Sequence, residues 1–141
     1  MKNFSNSFVT VNYDGLNKIL VIELKGFIPT QPYREGMEAV LQIAKSNRCS
    51  NWLFDVRTFE GAKPVDLEWV ATEFFQRSQR ELSAFTKQRR KSANLVAANV
   101  FAAFQVQQAV KKIEDQKNEV IDIMTFGDKQ KAIEFLTSTG N

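Results

Sequence analysis

Ser50-Asn51-Trp52-Leu53-Phe54-Asp55-Val56-Arg57-Thr58-Phe59 is the stretch on which the reading of this chain turns. Trp52 to Val56 is a short, mostly apolar run that opens on polar residues, the pattern of a strand buried inside a sheet. Asp55 and Arg57 are two apart on an extended segment and point to the same side near the strand end, where α/β proteins place their working groups.

On the amino side, Phe8 to Asn12 and Ile19 to Leu24 read as two strands joined through Asp14-Gly15, a pair that favours a turn with positive φ. Lys25 to Pro29 then leaves the sheet, and Thr30, Gln31 and Pro32 lead into a helix whose apolar positions Tyr33, Met37, Val40, Leu41 and Ala44 recur at helical spacing. Gly36 lies inside that helix at a cost of about 1 kcal/mol relative to Ala, so a close approach to another backbone is expected there. On the carboxyl side, Gly61 to Pro64 separates the strand from a long helix with Leu67, Val70, Ala71, Phe74, Phe75, Ser78 and Leu82 on one side, and Asp66 is a candidate N-cap. A strand from Ala93 to Ala98 follows, then a helix carrying Ala102, Val106, Ala109, Val110 and Ile113, then a strand from Val120 to Phe126. Asp128 offers a cap for a last helix with Ala132, Ile133, Phe135 and Leu136. The order β-β-α-β-α-β-α-β-α implies a mostly parallel sheet with right-handed crossovers.

Alternation along the strands sorts the sheet into two faces. Val9, Val11, Leu20, Ile22, Leu24, Trp52, Phe54, Val56, Ala93, Leu95, Ala97, Ile121 and Ile123 form an apolar set for helices to cover. The complementary set, with Asn12, Glu23, Asp55 and Asp122, mixes polar and apolar residues and is expected to stay partly wet or to meet a partner.

Composition narrows the function more than it identifies it. The chain has 141 residues, 43% hydrophobic and 25% charged, enough for one core, so residues 1–141 are read as a single domain. It has no histidine, one cysteine and no phosphate-cradling glycine loop, which leaves few general bases, metal ligands or activated nucleophiles. No catalytic residue, metal or cofactor is indicated, and the chain reads as non-enzymatic. A net charge of +3 does not imply nucleic acid, no apolar run approaches the ~20 residues of a membrane span, and the first residues lack a signal-peptide centre. A cytoplasmic location is expected. Cys49 has no second cysteine to bridge and reads as a small apolar filler between helix and strand.

The element order sharpens into a family resemblance at particular residues. Gly26-Phe27-Ile28 ahead of Tyr33-Arg34-Glu35-Gly36, then Trp52 to Arg57, then Phe126-Gly127-Asp128 leading to Lys131-Ala132-Ile133-Glu134-Phe135-Leu136, together resemble the SpoIIAA-like branch of the STAS domain. The resemblance spans most of the chain. It implies an α/β fold with a five-stranded mixed sheet, an N-terminal antiparallel hairpin followed by parallel β-α units, and four helices mainly on one face. Anti-sigma-factor antagonists of that family carry a phosphorylatable Ser or Thr just after the third strand, in a turn that opens a helix. Here Asp55 aligns with the motif's Asp, but Val56-Arg57 stands in place of its serine pair, and Thr58 is the nearby hydroxyl. Arg57 would attract a phosphate there and Glu60 would oppose it.

Each remaining feature has a sharp and a plain reading. Asp55 and Arg57 either order the β-α turn, pairing with each other or with a neighbour such as Arg34, or recognise a partner. Trp69, beside Glu68 and off the main stripe of its helix, is an aromatic whose exposure would fit an interface. Phe74, Phe75, Phe101 and Phe104 read as core, or as the lining for a small apolar, lipid-like ligand. Lys87 to Lys91, with Arg77 and Arg80, reads as a solvated loop or an anionic-surface contact, and lacks the aromatic platform for single-strand binding. The function expected is a non-enzymatic STAS-like interaction or regulatory module that docks a protein partner or its own second copy through Asp55, Arg57, Thr58 and Trp69. The alternative is a carrier or sensor of the apolar ligand.

Overall fold

A computed structural model describes residues 2–85, 89–97, 107, 111 and 121–138. Among the described residues six strands form one sheet in sequence order: β1 (Asn3–Ser5), β2 (Val9–Asp14), β3 (Ile19–Ile28), β4 (Trp52–Ala62), β5 (Arg90–Leu95) and β6 (Ile121–Phe126). β1, β2 and β3 are antiparallel, whereas β3 to β6 are parallel, which is the mixed sheet expected. The sixth strand is the short β1 at the edge, paired Asn3 to Asn12 and Ser5 to Thr10. Asn6 turns the chain between β1 and β2 by accepting hydrogen bonds from the Phe8 and Val9 amides, both at 2.8 Å.

Helix α1 (Thr30–Ser46) crosses from β3 to β4 and buries Tyr33, Met37, Val40, Leu41 and Ala44, the expected stripe. Gly36 makes a close approach, though to a side chain and not to a backbone: a β-carbon there would lie 2.7 Å from Val9 Cβ, Cγ1 and Cγ2 on β2. After β4 the long helix is a run of α2 (Pro64–Trp69), a wider π-helical turn (Val70–Phe74) and α3 (Phe75–Leu82). Pro64 takes the first helical position, as its missing N–H allows. Lys63 is therefore the N-cap, and Asp66 lies inside the first turn instead of capping it. The last helix, α4 (Lys129–Thr137), is capped by Asp128, whose carboxylate accepts from the Lys131 amide. The helix expected from Ala102 to Ile113, with Phe101 and Phe104, lies outside the described residues apart from Gln107 and Lys111, both helical and exposed.

The main core lies between the Trp52 face of the sheet and α1 with α2–α3; Val9, Val11, Leu20, Ile22, Leu24, Trp52 and Val56 are buried in it. A smaller cluster joins Ala132 and Leu136 of α4 to Ile19, Leu53, Ala93 and Leu95 on the opposite face. Among the described residues most of the helical cover is thus on one face, while α4 covers part of the other; Asn12 is exposed and Glu23 half-buried.

Two further sequence expectations are corrected. The positive φ of the β2–β3 turn falls on Lys18 and not on Gly15, because Asp14 accepts from the Leu16 and Asn17 amides and lengthens the turn. On β5 the phase is reversed: Ser92 pairs with Trp52, Ala93 with Leu53 and Asn94 with Phe54. Ala93 and Leu95 therefore belong to the α4 face, and Ser92 and Asn94 to the main core side. Apolar residues occur at both parities of Ala93-Asn94-Leu95-Val96, so alternation carried no phase there.

Candidate interaction site

β3 and β4 run parallel, so their carboxyl ends meet at one rim of the sheet. Asp55 lies beside Glu23 in register, and a slip in the pairing then brings Thr58 beside Lys25. The slip has a visible effect on side-chain direction. Val56 and Phe59, three apart, both enter the main core, leaving Arg57 and Thr58 to face outward. The strand continues to Ala62, so Thr58 sits within a strand and not in a turn opening a helix.

Asp55 and Arg57 pair with each other, not with Arg34. Arg57 donates from Nε to Oδ1 at 3.0 Å, from Nη2 to Oδ2 at 2.8 Å and from its backbone N–H to Oδ1 at 3.2 Å. Burial disfavours the Asp55 carboxylate, but the Arg57 hydrogen bonds outweigh it and hold the group below the ordinary carboxylate range. The Arg57 side chain keeps 46% of its surface exposed. On β3, Lys25 pairs with Glu23 at 3.3 Å, and Phe27, also on the outward side, is 52% exposed.

The structure groups Asp55, Arg57 and Thr58, and seats Trp69 elsewhere. Trp69 is half-buried against the main core, with Phe74 at 5.6 Å between ring centroids and the Arg34 guanidinium 4.5 Å over its ring. Asp55 shares the face of Leu53, so the sheet lies between the two. Arg34 instead meets Asp66, which is fully buried and accepts from Thr30 Oγ1 at 2.7 Å and from Arg34 Nε and Nη2 at 3.4 Å. Phe74 and Phe75 are buried, Phe74 lying between Trp52 and Trp69, and serve as core.

Lys87 and Gln88 of the basic run lie outside the described residues, and the described part is dispersed. Arg77 bridges Glu38 and Glu81, Arg89 pairs with Asp122, and Lys91 donates to the Phe135 and Ser138 carbonyls. Arg90 is 2% exposed, because β5 begins at Arg90 and turns it inward onto the Trp52 ring, 4.5 Å from its centroid. Burial pushes its pKa down to about 10, leaving it charged at neutral pH. Cys49 is buried as expected, its thiol pushed up to about 11 mainly by that burial.

Phe27 and Arg90 were missed by sequence reading. The signal for Phe27 was alternation continuing past Lys25, since Leu24 and Ile28 face the core and Phe27 faces away. For Arg90, the polar flanking run masked the strand start.

Among the described residues, no helix is long and apolar enough to cross a membrane and no group of three His, Cys, Asp or Glu could hold a metal ion. No protein-family model and no curated protein matches the sequence. Among solved structures, the chain is similar to an uncharacterized protein of the DUF3478 family from Shewanella loihica PV-4, described as having a SpoIIAA-like fold. The likeness has a TM-score of 0.60 at 14% identity and covers 94% of this chain and 98% of that one. The fold is SpoIIAA-like. In this SpoIIAA-like sheet Asp55 is the fourth of the eleven residues of β4, and Arg57 and Thr58 lie further along the same strand.

Proposed function

We propose that this SpoIIAA-like protein is a non-enzymatic interaction module whose β3–β4 rim docks a protein partner, a second copy of the chain. The observation that carries the reading is Phe27, a large aromatic 52% exposed on the rim beside two charge pairs. An apolar aromatic anchor ringed by polar groups is how interface centres are commonly built. Glu23 and Asp55 balance Lys25 and Arg57, so the patch is its own electrostatic complement across a two-fold axis. Thr58, exposed beside Lys25 and Arg57, adds a regulatory handle: a phosphate there would shift the patch's charge balance.

Sedimentation velocity over a concentration series tests this. The wild type is expected to dimerise, Phe27→Ser to abolish the dimer, and Trp69→Ala, on the other side of the sheet, to leave it intact. A wild type that stays monomeric, or a Phe27→Ser variant that sediments like wild type, overturns the reading.

A further inference from the structure

At the other end of the sheet, where β3 and β4 begin, the β2–β3 turn and the loop after α1 enclose an open depression of about 370 Å³. Tyr13, Lys18, Asn47, Arg48, Ser50 and Asn51 line it, with no carboxylate among the described lining side chains. Its two cations occupy unusual backbone. Lys18 has φ 57° and Arg48 φ 51°, the left-handed region that glycine enters freely and residues with a β-carbon disfavour. Arg48 follows α1 where glycine is the usual residue, the Cys49 amide closing the helix on the Ala44 carbonyl at 2.8 Å. At both positions the chain has a long cation where glycine would be less strained, and the two converge on one depression.

Neither cation is neutralised by another described residue. The ion pairs of the described residues involve neither Lys18 nor Arg48. The carboxylate nearest in sequence, Asp14, is occupied by the Leu16 and Asn17 amides and the Asn17 side chain. Behind the floor lies a third positive charge: Arg90 donates from Nε to the Ser50 carbonyl at 3.0 Å, and its other partners, Ser78 Oγ and Gln79 Oε1, are also uncharged. A buried guanidinium with no carboxylate partner among the described residues, set beneath two surface cations that the described ion pairs do not include, makes the depression a focus of positive potential.

We propose that this depression binds a phosphoryl oxyanion between Lys18 and Arg48, with Ser50 and Asn51 as neighbouring polar groups. At about 370 Å³ it falls in the size range of small-molecule sites, which leaves room for a phosphate carried on a small organic group. The site is independent of the dimerisation rim, which it does not touch.

The test is isothermal titration of the intact chain with inorganic phosphate and with glycerol 3-phosphate at fixed ionic strength. Saturable binding is expected, tighter for glycerol 3-phosphate if an organic phosphate is the ligand and equal if free phosphate is. Lys18→Gly and Arg48→Gly should each weaken it roughly tenfold, the effect of losing one charge-assisted contact. Their melting temperatures should hold or rise, since glycine relieves the left-handed backbone, which separates loss of the site from loss of the fold. Lys131→Ala, a cation removed from exposed α4, should bind as wild type does. No saturable binding of either ligand, or equal weakening by Lys131→Ala, overturns the proposal.

Discussion

Gly36→Ala should destabilise the protein although it replaces a poor helix former with the best one. In an open helix the change would stabilise by about 1 kcal/mol. Here the new β-carbon would sit 2.7 Å from three carbons of Val9, which is itself fully buried. One of those carbons is Val9 Cβ, fixed to the β2 backbone, so no rotamer change relieves the contact and α1 must move off the sheet. Overpacking costs about 1–3 kcal/mol, and a contact with a backbone-fixed β-carbon belongs in the upper part of that range, about 2–3 kcal/mol; subtracting the propensity gain of about 1 kcal/mol leaves a net loss of about 1–2 kcal/mol. For a domain of this size that is a fall in melting temperature of about 2–8 °C. Thermal and urea denaturation followed by circular dichroism would measure it, with Gly127→Ala as control because a β-carbon there meets nothing within 4 Å. Adding Val9→Ala to Gly36→Ala removes two of the three offending carbons and should recover part of the loss by the same measure. A Gly36→Ala variant as stable as wild type, or more so, would refute the α1–β2 packing.

Trp52→Ala should cost about 3–5 kcal/mol in urea denaturation, since Trp52 is buried beneath Phe74 and Arg90, while Arg57→Ala should cost about 1 kcal/mol or less because its pair faces solvent. The Asp55 carboxyl is depressed in the fold, so its contribution is present above the unfolded value near pH 4 and lost as pH falls through the folded value. Asp55→Asn should therefore lower stability at pH 7 and make less difference at pH 3; an equal effect at both would remove the ion pair from the account. Cys49, buried with its thiol pushed up to about 11, should resist a thiol reagent at pH 7.5 until denaturant is added, and rapid labelling of the folded protein would contradict its placement.

The fold was largely legible because its strongest signals are local. Helical spacing from Tyr33 to Ala44, the Trp52 to Val56 run and the Asp128 cap each correspond to an element in place. What escaped depended on neighbours in space. Three residues of β1 carry too little pattern to read and are held by pairing with β2. The phase of β5 is set by register against β4, which no run of Ala, Asn, Leu and Val can encode alone. At the candidate site, the Asp55–Arg57 pair followed from a spacing of two on extended backbone. Its separation from Trp69 did not, because it depends on which face of the sheet α2 covers. Phe27 and the cations at Lys18 and Arg48 were hidden for the same reason: exposure and convergence are properties of the assembled sheet.

The central claim, that the β3–β4 rim is a self-docking surface, is tested most directly by amide chemical shifts recorded through a dilution series of the ¹⁵N-labelled protein. The account predicts concentration-dependent shifts concentrated at Glu23 to Phe27 and Asp55 to Thr58, disappearing in Phe27→Ser. Shifts confined to another surface, or a spectrum that does not change with concentration, would contradict it.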